Sequence, residues 1–197
     1  MNSEETLSLM DILDEIMAAN AGQTIEEHCE SKAIREALMP KATQIKGTPP
    51  SEWPKLKFNW DLSMEGRQYS FDPFNSLSSA RDIEKWKLEF EDLKLGWVEL
   101  KEMDRHLCFF SRRDGIEELW NLGNSSNLAF VIAYISDGLP ISPPVVEPHS
   151  EGGVILSGGH HRYAAAKAVE EEKIPIYCRP EHRNKISSLF SMEWVKQ

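Results

Sequence analysis

The stretch from Val154 to Cys178 constrains this chain more than any other. Val154-Ile155-Leu156 has the length and β-branched character of a short buried strand, and Gly158-Gly159 breaks it. Small residues fill Tyr163-Ala164-Ala165-Ala166-Lys167-Ala168-Val169, which suits a helix packed closely on a sheet, running from about Tyr163 to Glu172. Ile174-Pro175-Ile176-Tyr177-Cys178 then reads as the next strand. A strand, a tight turn, a helix and a strand in so short a space call for a helix lying across a sheet. The expected fold class is therefore mixed α/β (α+β).

The turn carries the residues of chemical interest, Gly158-Gly159-His160-His161-Arg162. Two glycines permit a tight turn and let backbone approach a ligand without Cβ interference. The turn feeds a helix N-terminus, where amide N–H groups and the helix dipole favour an anion. Arg162 adds a planar guanidinium suited to phosphate oxygens. His160 and His161 can donate to an anion or move a proton near neutral pH. A structural alternative stands beside this reading: one histidine caps the helix and Arg162 pairs with a carboxylate.

The rest of the chain organises around that unit. Ser3 is a cap for a helix bearing Leu9, Leu13, Ile16 and Met17 at helical spacing, and Thr24 caps a second helix that Pro40 is expected to end. Gly47 and Pro49-Pro50 read as a linker, so residues 1–50 form a separable helical segment in this reading. Residues 51–94 hold an aromatic connector, with Phe58, Trp60, Tyr69 and Phe71, and then a helix from Ser78 or Ser79 to Lys94 that Gly96 stops. The loop-bearing domain spans 95–183. It starts with a strand at Trp97–Leu100 and an extended run at Leu107–Ser111. A short helix at Ile116–Leu122 follows, then a longer one with Leu128, Val131, Ile132 and Ile135 on one face. Ile141–Glu147, containing Pro143-Pro144, reads as an edge or strand-entry segment. Residues 184–197 form a tail, with a last helix expected over Ile186–Val195.

Charge and cysteine usage narrow the function classes. The formal charge of −10 disfavours DNA as a partner, because non-specific nucleic-acid binding draws on phosphate neutralisation by Lys and Arg. Lys101 with Arg105, Arg112-Arg113, and the group Arg179, Arg183 and Lys185 are the best candidates for a local basic patch, and each is short and suits a solvated surface. No apolar stretch approaches the ~18–20 residues of a bilayer span, so no membrane association is expected. The N-terminus mixes acids among its apolar residues, unlike a secretory signal. Cys29, Cys108 and Cys178 are odd in number and widely spaced, which points to a reducing, cytoplasmic setting.

Ser157-Gly158-Gly159-His160-His161-Arg162-Tyr163-Ala164-Ala165 resembles the signature loop of sulfiredoxins, and the similarity runs on through the helix to Ile174-Pro175. Ile135-Ser136-Asp137-Gly138-Leu139-Pro140-Ile141 through Val145-Val146 is similar to a passage of ParB N-terminal domains. The resemblance to the ParB/sulfiredoxin superfamily covers about Leu95–Arg183. It implies a ParB/sulfiredoxin-like fold, a small mixed sheet with flanking helices, with nucleotide phosphates held at Gly158, Gly159, His161, Arg162 and Tyr163, and with His160 and His161 as catalytic candidates. The nucleotide would be a triphosphate such as ATP or CTP, with Mg²⁺ expected to neutralise its charge. Glu99, Glu102 and Asp104 are candidate ligands or bases by their place near the first strand.

The resemblance also limits the function. His160 stands where sulfiredoxins have their reactive cysteine, so a sulfiredoxin-type reductase is not implied. Gly158 replaces the acid of free-serine kinases, and Asn127, Phe130 and Tyr134 fall where sulfiredoxins place polar nucleotide contacts. Few residues follow Arg183, so a partition clamp with its helix-turn-helix is not expected. Three readings follow. One is a nucleotide-dependent phosphoryl-transfer or NTP-hydrolysing enzyme. Another is a non-catalytic, nucleotide-controlled protein-binding or inhibitor factor of plasmid or phage type, its partner bound through the N-terminal helices. The third is a ParB-like DNase.

Overall fold

A computed structural model describes residues 9–21, 24–63, 92–109, 111–112, 114–121 and 125–196. The fold is mixed α+β, as expected. In chain order the described elements are α1 (Leu9–Ala21), α2 (Ile25–Ile45), β1 (Asn59–Trp60), β2 (Lys94–Glu99), α3 (Leu100–His106), α4 (Ile116–Trp120) and α5 (Ser125–Ser136). They continue with β3 (Pro140–Ile141), β4 (Val145–Pro148), β5 (Val154–Gly158), α6 (His160–Ala168), β6 (Lys173–Cys178), α7 (Arg183–Leu189) and β7 (Glu193–Trp194).

Five strands form the main sheet in the order β5-β4-β6-β2-β7. Only β4 and β6 run parallel; the other neighbours are antiparallel. The β5-α6-β6 unit is therefore a crossover that skips over β4. β6 lies at the centre of the sheet, with Ile174 through Cys178 all buried, and such double-sided burial explains an apolar run without polar alternation. β1 and β3 make a separate parallel pair.

Two hydrophobic clusters meet at α6. Ile174, Ile176, Val146 and Leu156 face α3 and α7 together with Tyr163 and Ala166. Ala164 and Ala165 join the other cluster, built on α5 residues Leu128, Ile132 and Ile135. The alanines have a plain purpose: a helix enclosed on several sides needs small residues, and all three are at most 1% exposed.

α2 opens with a capping box, in which the Glu27 amide donates to the Thr24 hydroxyl and the Thr24 amide to the Glu27 carboxylate. Pro40 does not end it. The helix continues to Ile45, and the turns past the proline bury Ala42 and Ile45 against α5. That burial offsets the backbone hydrogen bond that proline removes, since each fully buried aliphatic side chain contributes about 1.5–3 kcal/mol. The break at Gly47 and Pro49-Pro50 accordingly does not separate two cores. Leu38, Ala42 and Ile45 before it, and Trp53 after it, share one cluster with Leu128 and Ile132. The indole N–H groups of Trp53 and Trp120 both donate to the Thr48 carbonyl in this turn.

Other local expectations are revised. Lys94 opens a strand rather than closing a helix, and Gly96 lies inside β2. A Cβ at Gly96 would stand 2.8 Å from the Trp194 ring, so this glycine makes room for β7. Asp92 and Leu93, just before β2, are not helical, and residues 78–91 of the expected helix, like Tyr69 and Phe71, lie outside the described residues. β4 is an interior strand, and its prolines precede it at Pro143-Pro144. Leu107 makes a single bridge to Val154, after which the chain turns. The final segment divides into α7 and the short strand β7.

Candidate functional site

β5 ends at Gly158, which pairs with Val145, and Gly159 reverses the chain into α6. Gly159 has a left-handed backbone, φ 83°, and occupies the N-cap with no side-chain cap hydrogen bond. Neither histidine caps the helix. Its ladder starts with the Tyr163 amide donating to the Gly159 carbonyl at 3.0 Å, so His160, His161 and Arg162 form the first helical turn, three residues earlier than the sequence suggested. Both histidine side chains are partly exposed there. The amides of a first turn point outward along the helix axis, toward the side where an anion would sit.

Gly159 is also fixed from behind. A Cβ on it would lie 2.7 Å from Pro144 Cα and 2.9 Å from Arg162 Nη2. The Pro143-Pro144 loop thus forms the floor of the turn, and the Tyr177 amide holds it by donating to the Pro144 carbonyl at 2.9 Å.

Arg162 faces inward. It is 3% exposed, and its Nη1 donates to the Ser142 carbonyl at 3.0 Å and to the Ser142 hydroxyl. The guanidinium therefore ties α6 to the floor loop. A charged group buried this deeply needs such partners. Tyr163 is wholly buried, and its hydroxyl donates to Asp104. Burial, reinforced by that carboxylate, pushes the phenol well above its ordinary range. With its amide in the helix ladder and its ring in the core, Tyr163 is placed to shape the turn from behind.

Asp104 is the one candidate carboxylate brought to α6. Its Oδ1 also accepts from Lys167 Nζ at 2.9 Å, and the same ammonium reaches Asp114 at 2.7 Å. The Lys167 hydrogen bond holds the Asp114 carboxyl below its usual range. Tyr163 and Lys167 are spaced i, i+4 and so share a helix face, a signal legible in the sequence that the expectations did not use. Ser142 and Pro144 had no such signal.

Glu99 and Glu102 lie elsewhere. Glu99 pairs with Lys173 at the start of β6, whereas the Gly158 end of the sheet meets β6 at Tyr177. Four residues of strand separate the two, about 13 Å. Glu102 accepts from the Ser191 amide at 3.2 Å. Among the described residues no three His, Cys, Asp or Glu side chains gather to hold a metal.

Cys178 is fully buried at the end of β6, and burial pushes its thiol up to about 12, so it is no thiolate nucleophile. Asn127 and Phe130 on α5 are buried as well. Three arginines of the basic clusters make contacts within the molecule: Arg112 donates to the carbonyls of Asp104 and Arg105, Arg179 lies 3.7 Å from Glu147, and Arg183 stacks over Trp194. Among the described residues no helix is long and apolar enough to cross a membrane.

No family model, curated protein or solved structure matches this chain.

Proposed function

We propose that the chain is a ParB/sulfiredoxin-like protein that binds a nucleoside triphosphate at the N-terminus of α6 and transfers or hydrolyses its terminal phosphoryl group. One observation carries the reading: Gly158-Gly159-His160-His161 forms a strand-to-helix turn that puts two partly exposed histidines on the first turn of a helix. Phosphate would lie against that turn, where dipole and imidazole donors add together. His161 would contact phosphate oxygens, and His160 would stand beside the reacting group. Gly159 and Arg162 would serve by holding the turn in shape against Ser142 and Pro144, and Tyr163 by anchoring it from the core. Mg²⁺ would arrive on the nucleotide's own phosphates, as this ion commonly does.

The test is calorimetric titration of the intact protein with ATP, CTP and GTP in Mg²⁺, followed by phosphate-release assays. A His161→Ala variant is expected to weaken binding by roughly ten- to a hundredfold, the worth of one charge-assisted contact of ~1.5–3 kcal/mol. His160→Ala is expected to lower turnover more than affinity. Absence of binding across the panel would sink the reading, and binding without turnover would move it to the second one.

In that second reading nucleotide occupancy controls a protein partner without catalysis. It is favoured by the unusual exposure of apolar side chains on α1, where Ile16 is 51% and Met17 57% exposed. A DNase reading draws little support from arginines already engaged within the molecule.

A further inference from the structure

Helix α1 packs on α2 with its polar edge inward. Asp14 is partly buried, with Lys32 Nζ at 2.9 Å and His28 Nε2 at 3.5 Å, both from α2. Ala18, one turn on and on the same side, is 1% exposed. By the 3.6-residue period residues 12, 13 and 16 lie well around from that side, 16 opposite it, and residue 17 borders them. Those positions hold Ile12, Leu13, Ile16 and Met17, and each is between 41% and 57% exposed. A surface helix ordinarily buries such a stripe. Here the amphipathic helix is inverted, and Ile12, Leu13, Ile16 and Met17, at i, i+1, i+4 and i+5, form one continuous apolar stripe over successive turns.

The charges around the stripe select its occupant. Along α1 the sequence has Asp11, Asp14 and Glu15 and no Lys or Arg, and Asp11 and Glu15 are exposed. The nearest cations of α2 are used inside the molecule: Lys32 binds Asp14, and the Arg35 guanidinium lies 4.8 Å over the Phe130 ring. The helix surface offered is therefore apolar with acidic neighbours. A second copy of the same helix would bring like charges together, and an anionic lipid surface would be repelled.

We infer that the exposed face of α1 is a docking surface for a basic amphipathic helix of a partner protein, with leucine-like side chains on the stripe and Lys or Arg against the flanking carboxylates. The inference deepens the reading in which a protein partner is bound, but it uses no residue of the α6 turn and does not require nucleotide.

The experiment uses the intact protein and two labelled model helices of about five turns, one built of Leu and Lys and the other of Leu and Glu in the same amphipathic order. Fluorescence anisotropy is expected to show binding of the Leu/Lys helix only, weakening as salt rises. Leu13→Gln/Ile16→Gln leaves the charge unchanged and alters exposed positions, so circular dichroism should be unaffected while affinity falls by roughly tenfold or more. Unaltered affinity in that variant would overturn the proposal, because it would reduce binding to diffuse charge attraction. Equal binding of both helices would also overturn it, as would binding of neither. If sedimentation then showed self-association that the double variant abolished, the occupant would be a second copy. Loss of nucleotide binding in the His161→Ala protein with peptide binding intact would leave this surface standing while the α6 reading is judged separately.

Discussion

Gly159 and Pro144 are in contact so close that the glycine has no room for a side chain: a Cβ would lie 2.7 Å from the proline Cα. The left-handed φ of 83° at the same residue adds a second penalty for any other amino acid. Gly159→Ala should therefore lose roughly 2–4 kcal/mol, about 1 from the backbone and the rest from overpacking. Urea unfolding would read this as a lower midpoint with an unchanged slope. A variant as stable as wild type would mean that the turn relaxes away from Pro144.

Arg162 is expected to act through Ser142. Arg162→Ala leaves the Ser142 carbonyl and hydroxyl without these donors in a buried setting, a cost of about 1–3 kcal/mol. Lysine should restore little, because its ammonium lacks the planar fork. Melting curves of Ala and Lys variants should thus fall together. A folded alanine variant with wild-type stability but no nucleotide affinity would instead make Arg162 a direct phosphate contact.

The Lys167 bridge gives a pH signature. Lys167 depresses the Asp114 carboxyl in the folded state, so its contribution is complete above the unfolded value of about 4 and fades as pH falls through the depressed one. The Asp114 side chain is 64% exposed, which keeps the effect below about 1 kcal/mol. The stability gap between wild type and Lys167→Met should accordingly narrow in acid. A gap that widens below pH ~4 would contradict the bridge.

Tyr163 gives the opposite sign. Its folded-state phenol is raised by burial and by Asp104, so stability is fully present below the unfolded value of about 10 and declines as pH rises past it. Tyr163→Phe should lose about 0.5–1.5 kcal/mol at neutral pH, and it should flatten the alkaline decline. Denaturant titrations on both sides of pH ~10 measure each quantity.

Removing residues 1–50 should unfold more than the segment itself. Leu38 and Ile45 are 3% and 5% exposed within the cluster that holds Leu128 and Ile132. Even Leu38→Ala alone is expected to cost about 2–5 kcal/mol. Circular dichroism of a chain starting at Ser51 should show a lost or broadened transition. A sharp native-like melt would restore the boundary at Gly47 and Pro49-Pro50.

Several features follow from residues close together in sequence. The Thr24 cap, the α5 helix, the β5-Gly159-α6-β6 order and the mixed fold class were legible because spacing, caps and glycine turns are local signals. What Arg162 and Tyr163 face was not legible, since their partners Ser142 and Asp104 are distant in sequence and reach them only through packing. Pro40 likewise read as a stop because local propensity disfavours it, and burial of Ala42 and Ile45 against α5 overrode that preference. The same logic governs α1. Sequence alone determined that the helix is amphipathic, whereas the Asp14–Lys32 contact with α2 decided which of its faces is left for solvent.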